Sequence, residues 1–270
     1  MSRFQERAPI STGYWSIKGL GAPIRMMISW SGAPFEAKLY DVKMPGPDRK
    51  LDASAWFGSK KALKERNPFI NLPYVDDSSC LISQTNACFS YLGRELGLWP
   101  SSPSDVIMAE TLLCELMDLR NSMTNFAYSG AFEDVRADGL ALLANVSGKN
   151  GVLQKIELHF ANKVCRDFLV GGVCTAPDFH LYEMIDQYST LAFFLEADSP
   201  FEQPQFANLK AFYNSFAAHP RNAYYLTSKL NQLPFNNKGA RFGSVPGGGR
   251  FEAGQEYEWA EDWTGVYQNK

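Results

Sequence analysis

Hydrophobic positions alternate in short runs before residue 97 and recur at helical spacing beyond residue 105. "TGYWSI" (12–17) and "PFEAKLYDV" alternate and are rich in aromatic and β-branched residues, which predicts two strands. Between them, "GAPIRMMISWSG" spaces Ile24, Met27, Ile28 and Trp30 as a short helix closed by Gly32. A loop and helical region (43–66) leads to "INLPYV" and "CLIS", joined by a tight "DDSS" turn, and then to the helical "QTNACFSYLGREL". The order is βαβαββα in one mixed-sheet domain, residues 11–96. "GLWPSSPSD" carries two prolines and reads as a linker, 97–104.

Residues 105–235 then read as all-helical. "SDVIMAETLLCELMDLRNSMTNFAY" keeps apolar positions in register for about seven turns. "TAPDFHLYEMIDQYSTLAFFLE" opens with Thr175 and Asp178, a capping box with its acid shortened. Two shorter helical segments follow. The last stretch, 236–270, changes character: Gly243–Gly249 reads as a flexible hinge, followed by an acidic, aromatic tail. Its Phe251, Tyr257, Trp259, Trp263 and Tyr267 predict docking on the body or on a partner chain, not disorder.

Composition narrows the possibilities. With 270 residues and 45% hydrophobic content the chain is ordinary globular material. A net charge of −3 argues against nucleic acid or an anionic membrane as partner. No apolar run approaches the ~20 residues that span a bilayer, and "MSRFQERAPIST" lacks the apolar core of a secretory signal. Five cysteines without metal-type spacing read as buried reduced thiols, hence a cytoplasmic chain with no metal. Three scattered histidines (159, 180, 219) do not support histidine-centred chemistry.

One stretch stands out, "NPFINLPYVDDSSCLISQTNACFSYL" (67–92). Proline removes a ladder donor, so Pro73 is out of place where a central strand should continue. Polar Gln84, Thr85 and Asn86 begin the next helix, where unpaired N–H groups collect.

"GYWSIKGLGAPIRMMI", "INLPYVDD" and "SQTNACFSYLGREL" resemble the cytosolic glutathione transferases, most closely the mu class with sigma-like features in places. The likeness runs from about Thr12 to about Gly243 and is strongest through residue 96. It implies a thioredoxin-like amino-terminal domain that binds glutathione, an all-α domain that holds an electrophile, and a homodimer. The two oddities then acquire a common meaning. A cis Leu72–Pro73 bond would turn Leu72 outward, where a peptide-like ligand pairs with its N–H and C=O as an added strand. Gln84 and Thr85 at a helix start form a carboxylate site for the γ-glutamyl end.

The resemblance assigns further roles residue by residue. Tyr14 is the catalytic hydroxyl, and Trp15 and Leu20 lie beside the thiol. Trp56 and Lys60 hold the glycyl carboxylate, with charge from Lys and an N–H from Trp. Asn71, Leu72 and Pro73 form the backbone-binding edge. Asp118 reaches the ligand of the neighbouring subunit. Met117 and Tyr128 face the electrophile together with Tyr14, Trp15 and Leu20, and Phe69 is the aromatic key inserted into the partner. A free thiol has a pKa of ~8.5, and lowering it by two units requires about 2.7 kcal/mol. One hydrogen bond to a charged group supplies about 1.5–3 kcal/mol, so a phenol suffices and no histidine base is needed.

The sequence departs from the mu pattern in a longer Trp56–Asn71 segment, in "VKMPGPDRKLDAS" and in the whole tail. Three functions stay open on this reading: conjugation of glutathione to soft electrophiles, sigma-like glutathione-dependent isomerisation, and a non-catalytic binding or structural role. The tail segment 257–267 is expected to pack over the electrophile site or the dimer surface.

Overall fold

The computed structural model describes residues 8–44, 50–131, 133–163, 165–252 and 265–268. They form two compact units, residues 1–97 with 220–270 and residues 98–219.

The first unit runs β1 (Ile10–Trp15), α1 (Gly21–Ser31), β2 (Phe35–Tyr40), α2 (Ser54–Arg66), β3 (Tyr74–Asp76), β4 (Leu81–Ser83) and α3 (Thr85–Leu96). This is the predicted βαβαββα order. A short α9 (Ala223–Leu226) and a strand β5 (Gly265–Tyr267) are added from the far end of the chain. The sheet order is β4-β3-β1-β2-β5; β1 runs parallel to β2 and antiparallel to β3. All of α1 from Gly21 to Trp30 is buried, as its nearly continuous apolar run requires. Gly32 and Gly97 end α1 and α3 in the left-handed conformation that an L side chain resists. On the other side Trp56 is the buried residue of α2; it packs with Tyr40, Ile70 and Tyr74.

The second unit contains α4 (Pro103–Tyr128), α5 (Val135–Ser147), α6 (Val152–Ala161), α7 (Ala176–Phe194) and α8 (Ala207–Ala218). Ser102 caps α4 by accepting the Asp105 N–H at 3.2 Å, so Pro103 and Ser104 belong to the helix and not to a linker. At the start of α7, the buried Asp178 carboxylate accepts the Thr175 N–H at 2.7 Å, the Thr175 hydroxyl at 3.0 Å and the Leu169 N–H at 2.7 Å.

Three sequence expectations are corrected. The helical unit does not extend to residue 235, because the chain rejoins the first unit at Pro220. Gly243–Gly249 is no hinge: Gly243 N–H bonds the Gly248 carbonyl and Ser244 N–H the Gly249 carbonyl, each at 3.0 Å. Its glycines serve backbone angles, φ 66 at Gly243, 81 at Gly247 and 92 at Gly248, that only glycine adopts without strain. All five cysteines are free thiols, but Cys88 alone is buried, while Cys80, Cys114 and Cys165 are exposed.

The described part of the tail docks on the body, as its aromatic residues predict. Residues 265–267 pair with the sheet edge at β2, and 257–264 lie outside the described residues. No helix among the described residues is long and apolar enough to cross a membrane.

Candidate active site

The site is organised by strand register. Gly13 of β1 stands opposite Tyr74 of β3, and Tyr74 opposite Ser83 of β4. Tyr14 follows Gly13 on β1, Pro73 precedes Tyr74 and Gln84 follows Ser83, so the three flank the last paired row at one end of the sheet. Neighbouring strands are ~4.8 Å apart, so the row spans about 10 Å, a distance a short peptide bridges.

Each of the three flanking residues is held by local structure. Tyr14 is buried, its ring packed against the turn that leads into α1. A Cβ on Gly19 would lie 2.9 Å from the Tyr14 hydroxyl oxygen, and one on Gly21 would lie 2.7 Å from the ring. Leu20 is the N-cap residue of α1, whose first turn has neither a capping side chain nor an acid. The positive end of the α1 dipole therefore lies beside the phenol. Arg25, buried on α1, holds this turn by donating from Nη2 to the Ile17 carbonyl at 3.1 Å.

The Leu72–Pro73 peptide is cis. Asn71 is fixed by a reciprocal pair, its N–H donating to Ser83 Oγ at 2.9 Å and the Ser83 hydroxyl donating to its carbonyl at 3.1 Å. Among the described residues, the Leu72 backbone makes no hydrogen bond. Gln84 adopts φ 72, ψ 124, a left-handed conformation that costs a non-glycine residue about 1–3 kcal/mol. It precedes α3, whose first turn carries no side-chain cap and no acid. An uncapped helix start next to a strained residue is suited to an anion.

Trp56 and Lys60 lie on α2. The Trp56 ring is buried between Tyr40 and Tyr74, with centroids 5.2 and 6.2 Å away, and Lys60 Nζ lies 5.5 Å above it. The Tyr40 and Tyr74 hydroxyls are 2.9 Å apart, and burial pushes the Tyr74 phenol above its ordinary range. Trp15 packs half-buried against this cluster. Phe69 is 78% exposed on a turn set by Asn67, whose Oδ1 accepts its N–H at 2.9 Å. Met117, Asp118 and Tyr128 belong to the second unit, on α4, with Asp118 and Tyr128 exposed.

Gly19, Gly21, Arg25 and Ser83 were not among the site residues expected from sequence. "GLG" around Leu20, and a lone arginine in the apolar run "APIRMMI", are the signals that point to the first three. No group of three His, Cys, Asp or Glu suited to a metal occurs among the described residues.

A thioredoxin-like sheet domain followed by an all-helical domain, with a cis-proline edge beside an uncapped helix, is the architecture of a glutathione-dependent transferase. Residues 117–229 match the family model described as "Glutathione S-transferase, C-terminal domain". Curated relatives include "Glutathione S-transferase Mu 1" of Oryctolagus cuniculus, 30% identical over 84% of this chain and 94% of its own. "Glutathione S-transferase Mu 4" of Mus musculus is 30% identical over 87% and 99%. "Glutathione S-transferase Mu 3" of Homo sapiens is 29% identical over 87% and 95%. The crystal structure of the glutathione S-transferase Blo t 8 superposes with a TM-score of 0.73, covering 86% of this chain and 99% of that one at 23% identity. The chain belongs to the glutathione S-transferase family, a family of transferase enzymes, and its relatives are of the mu class.

Proposed function

We propose that the chain attacks hydrophobic electrophiles with the thiolate of bound glutathione, and that Tyr14 stabilises that thiolate. The observation that carries this reading is that Tyr14, the cis Leu72–Pro73 peptide and Gln84 flank the last paired row, Gly13, Tyr74 and Ser83, at one end of the sheet. The unpaired Leu72 backbone offers a donor and an acceptor to the cysteinyl residue, as an added strand would use them. The uncapped start of α3, at Gln84 and Thr85, takes the γ-glutamyl carboxylate. Lys60 and Trp56 take the glycyl carboxylate, and Asp118 of the neighbouring subunit the ammonium.

In the reaction, the glutathione thiol releases its proton to solvent and the Tyr14 O–H donates to the sulfur anion. Support comes from the α1 dipole beside the phenol, since both terms favour the anion over the thiol. The sulfur lone pair forms a bond to the electrophilic carbon, and the leaving group departs with its electron pair. Trp15, Leu20, Met117 and Tyr128 shape the electrophile site, with Tyr128 able to donate a proton to some substrates. The working form is a homodimer keyed by Phe69.

The test is Tyr14→Phe. Glutathione should still bind, while thiolate absorbance at neutral pH and most conjugating activity are lost. Full activity in this variant would exclude the assigned role, and no conjugation by the native chain with a panel of aryl halides and enones would favour a non-catalytic protein.

A further inference from the structure

The outer edge of β2 carries an arrangement that the transferase reaction does not use. In the first unit β2 would be the last strand of the sheet, with its outward N–H and C=O groups unmatched, were it not for β5. Such an edge is a template for another strand. Gly265–Tyr267 fills it in antiparallel register, with Ala37 opposite Gly265, Glu36 opposite Val266 and Phe35 opposite Tyr267. The Tyr267 ring stacks on the buried Phe35 at 5.3 Å between centroids.

We propose that this terminal strand is an intramolecular plug, and that the edge it covers otherwise takes up a second copy of the chain. The composition of β2 supports the division. The covered half is Phe35, Glu36 and Ala37, with the apolar Phe35 and Ala37 buried; the uncovered half begins with the exposed Lys38, which reaches back to Glu36 at 3.8 Å. A lysine on an edge strand opposes pairing with an identical edge. The half under the plug carries no lysine.

The route of the chain supports the same reading. Lys238 Nζ lies 2.9 Å from the carboxylate of Asp41, the residue after β2, and 5.9 Å from the ring of the buried Phe251. The Phe251 N–H is fixed by Ser244 Oγ at 2.8 Å. The terminal segment is thus anchored near the carboxy-terminal end of β2, and then pairs with Ala37 before Phe35, the direction an antiparallel strand requires. A strand carried on the same chain pairs intramolecularly, and so has the advantage over a second copy at ordinary protein concentrations.

The test uses the full chain with Tyr267→Pro, which removes the N–H facing Phe35, and separately with Tyr267→Ala in case the first variant folds poorly; glutathione affinity serves as the control for folding and is unaffected. Amide hydrogen exchange of Phe35 and Ala37 should accelerate by about tenfold or more. Sedimentation velocity should show concentration-dependent species larger than those of the native chain. A synthetic peptide of residues 261–270 should reverse both effects, and a scrambled peptide neither. Unchanged exchange would overturn the pairing itself. Faster exchange with unchanged sedimentation would overturn the role as a guard against a second copy.

Discussion

The hydroxyl of Tyr14 sits over the α-carbon of Gly19. No side chain fits between them, because a Cβ there would stand 2.9 Å from the phenol oxygen and 2.7 Å from Cε1. Gly19 also has φ +40, on the side of conformational space that favours glycine. Gly19→Ala should therefore displace the hydroxyl without touching the Leu72 edge or α3. Conjugation should fall roughly ten- to a hundredfold, the loss typical of a displacement of about 1 Å at a reacting centre. Glutathione affinity should change little. Steady-state kinetics with a separate binding titration check this; a change confined to KM would mean that Gly19 acts on binding.

Arg25 supports the same turn from below, through its bond to the Ile17 carbonyl. Arg25→Met removes that donor from a buried site and should cost about 1–3 kcal/mol of stability. The turn carrying Gly19 should loosen, so activity falls further than glutathione affinity. Denaturant melts of the variant, read beside its kinetics, test both parts. A native-like melt with full activity would remove Arg25 from this role.

Phe69 exposes most of its ring on a turn that Asn67 holds in place, so its removal leaves the fold intact. If it is the key of the homodimer, Phe69→Ser weakens self-association by about tenfold or more, the loss of a central aromatic anchor. Sedimentation equilibrium of the two proteins decides the matter. An unchanged dissociation constant would place the interface elsewhere.

Two buried groups on α7 give opposite pH dependences. Burial, helped by Arg120 on α4, pulls the His180 imidazole down to about 3. Glu183 and Gln187 also lie buried on that helix. The unfolded chain binds the His180 proton more readily, so folding loses stability as pH falls below the ordinary value near 6.5. At pH 5 this amounts to about 2 kcal/mol. Burial pushes Asp178 up to about 6, against the pull of the Leu169 and Thr175 donors. Its contribution is present at low pH and lost as pH rises through 6. His180→Leu should consequently be better tolerated at pH 5 than at pH 8, and Asp178→Asn worse tolerated at pH 5 than at pH 8. Thermal melts at the two pH values give the signs; the same sign for both variants would contradict this assignment.

Much of this was legible in the residues. Alternation and helical spacing located the sheet domain, α1 and α4, because those patterns follow from burying one face of a local element. The cap at Thr175 and Asp178 and the helix stop at Gly32 were legible for the same reason: their partners lie within a few residues. The Gly243–Gly249 segment was misread because composition records the freedom of glycine but not the carbonyls that await it. The exposed cysteines were misread because a thiol has no periodic signature of its own.

The sequence by itself determined the βαβαββα order, α4, α7 and the family resemblance, since each depends on patterns within about thirty residues. The placing of Tyr14, Pro73 and Gln84 at one end of the sheet belongs to the tertiary structure alone, because strand register is set by long-range pairing and a slip of one residue would turn every side chain to the opposite face. The seating of Tyr14 over Gly19 and the course of the tail along β2 were decided in the same way. Close packing and edge hydrogen bonds form only between surfaces that the finished fold brings together.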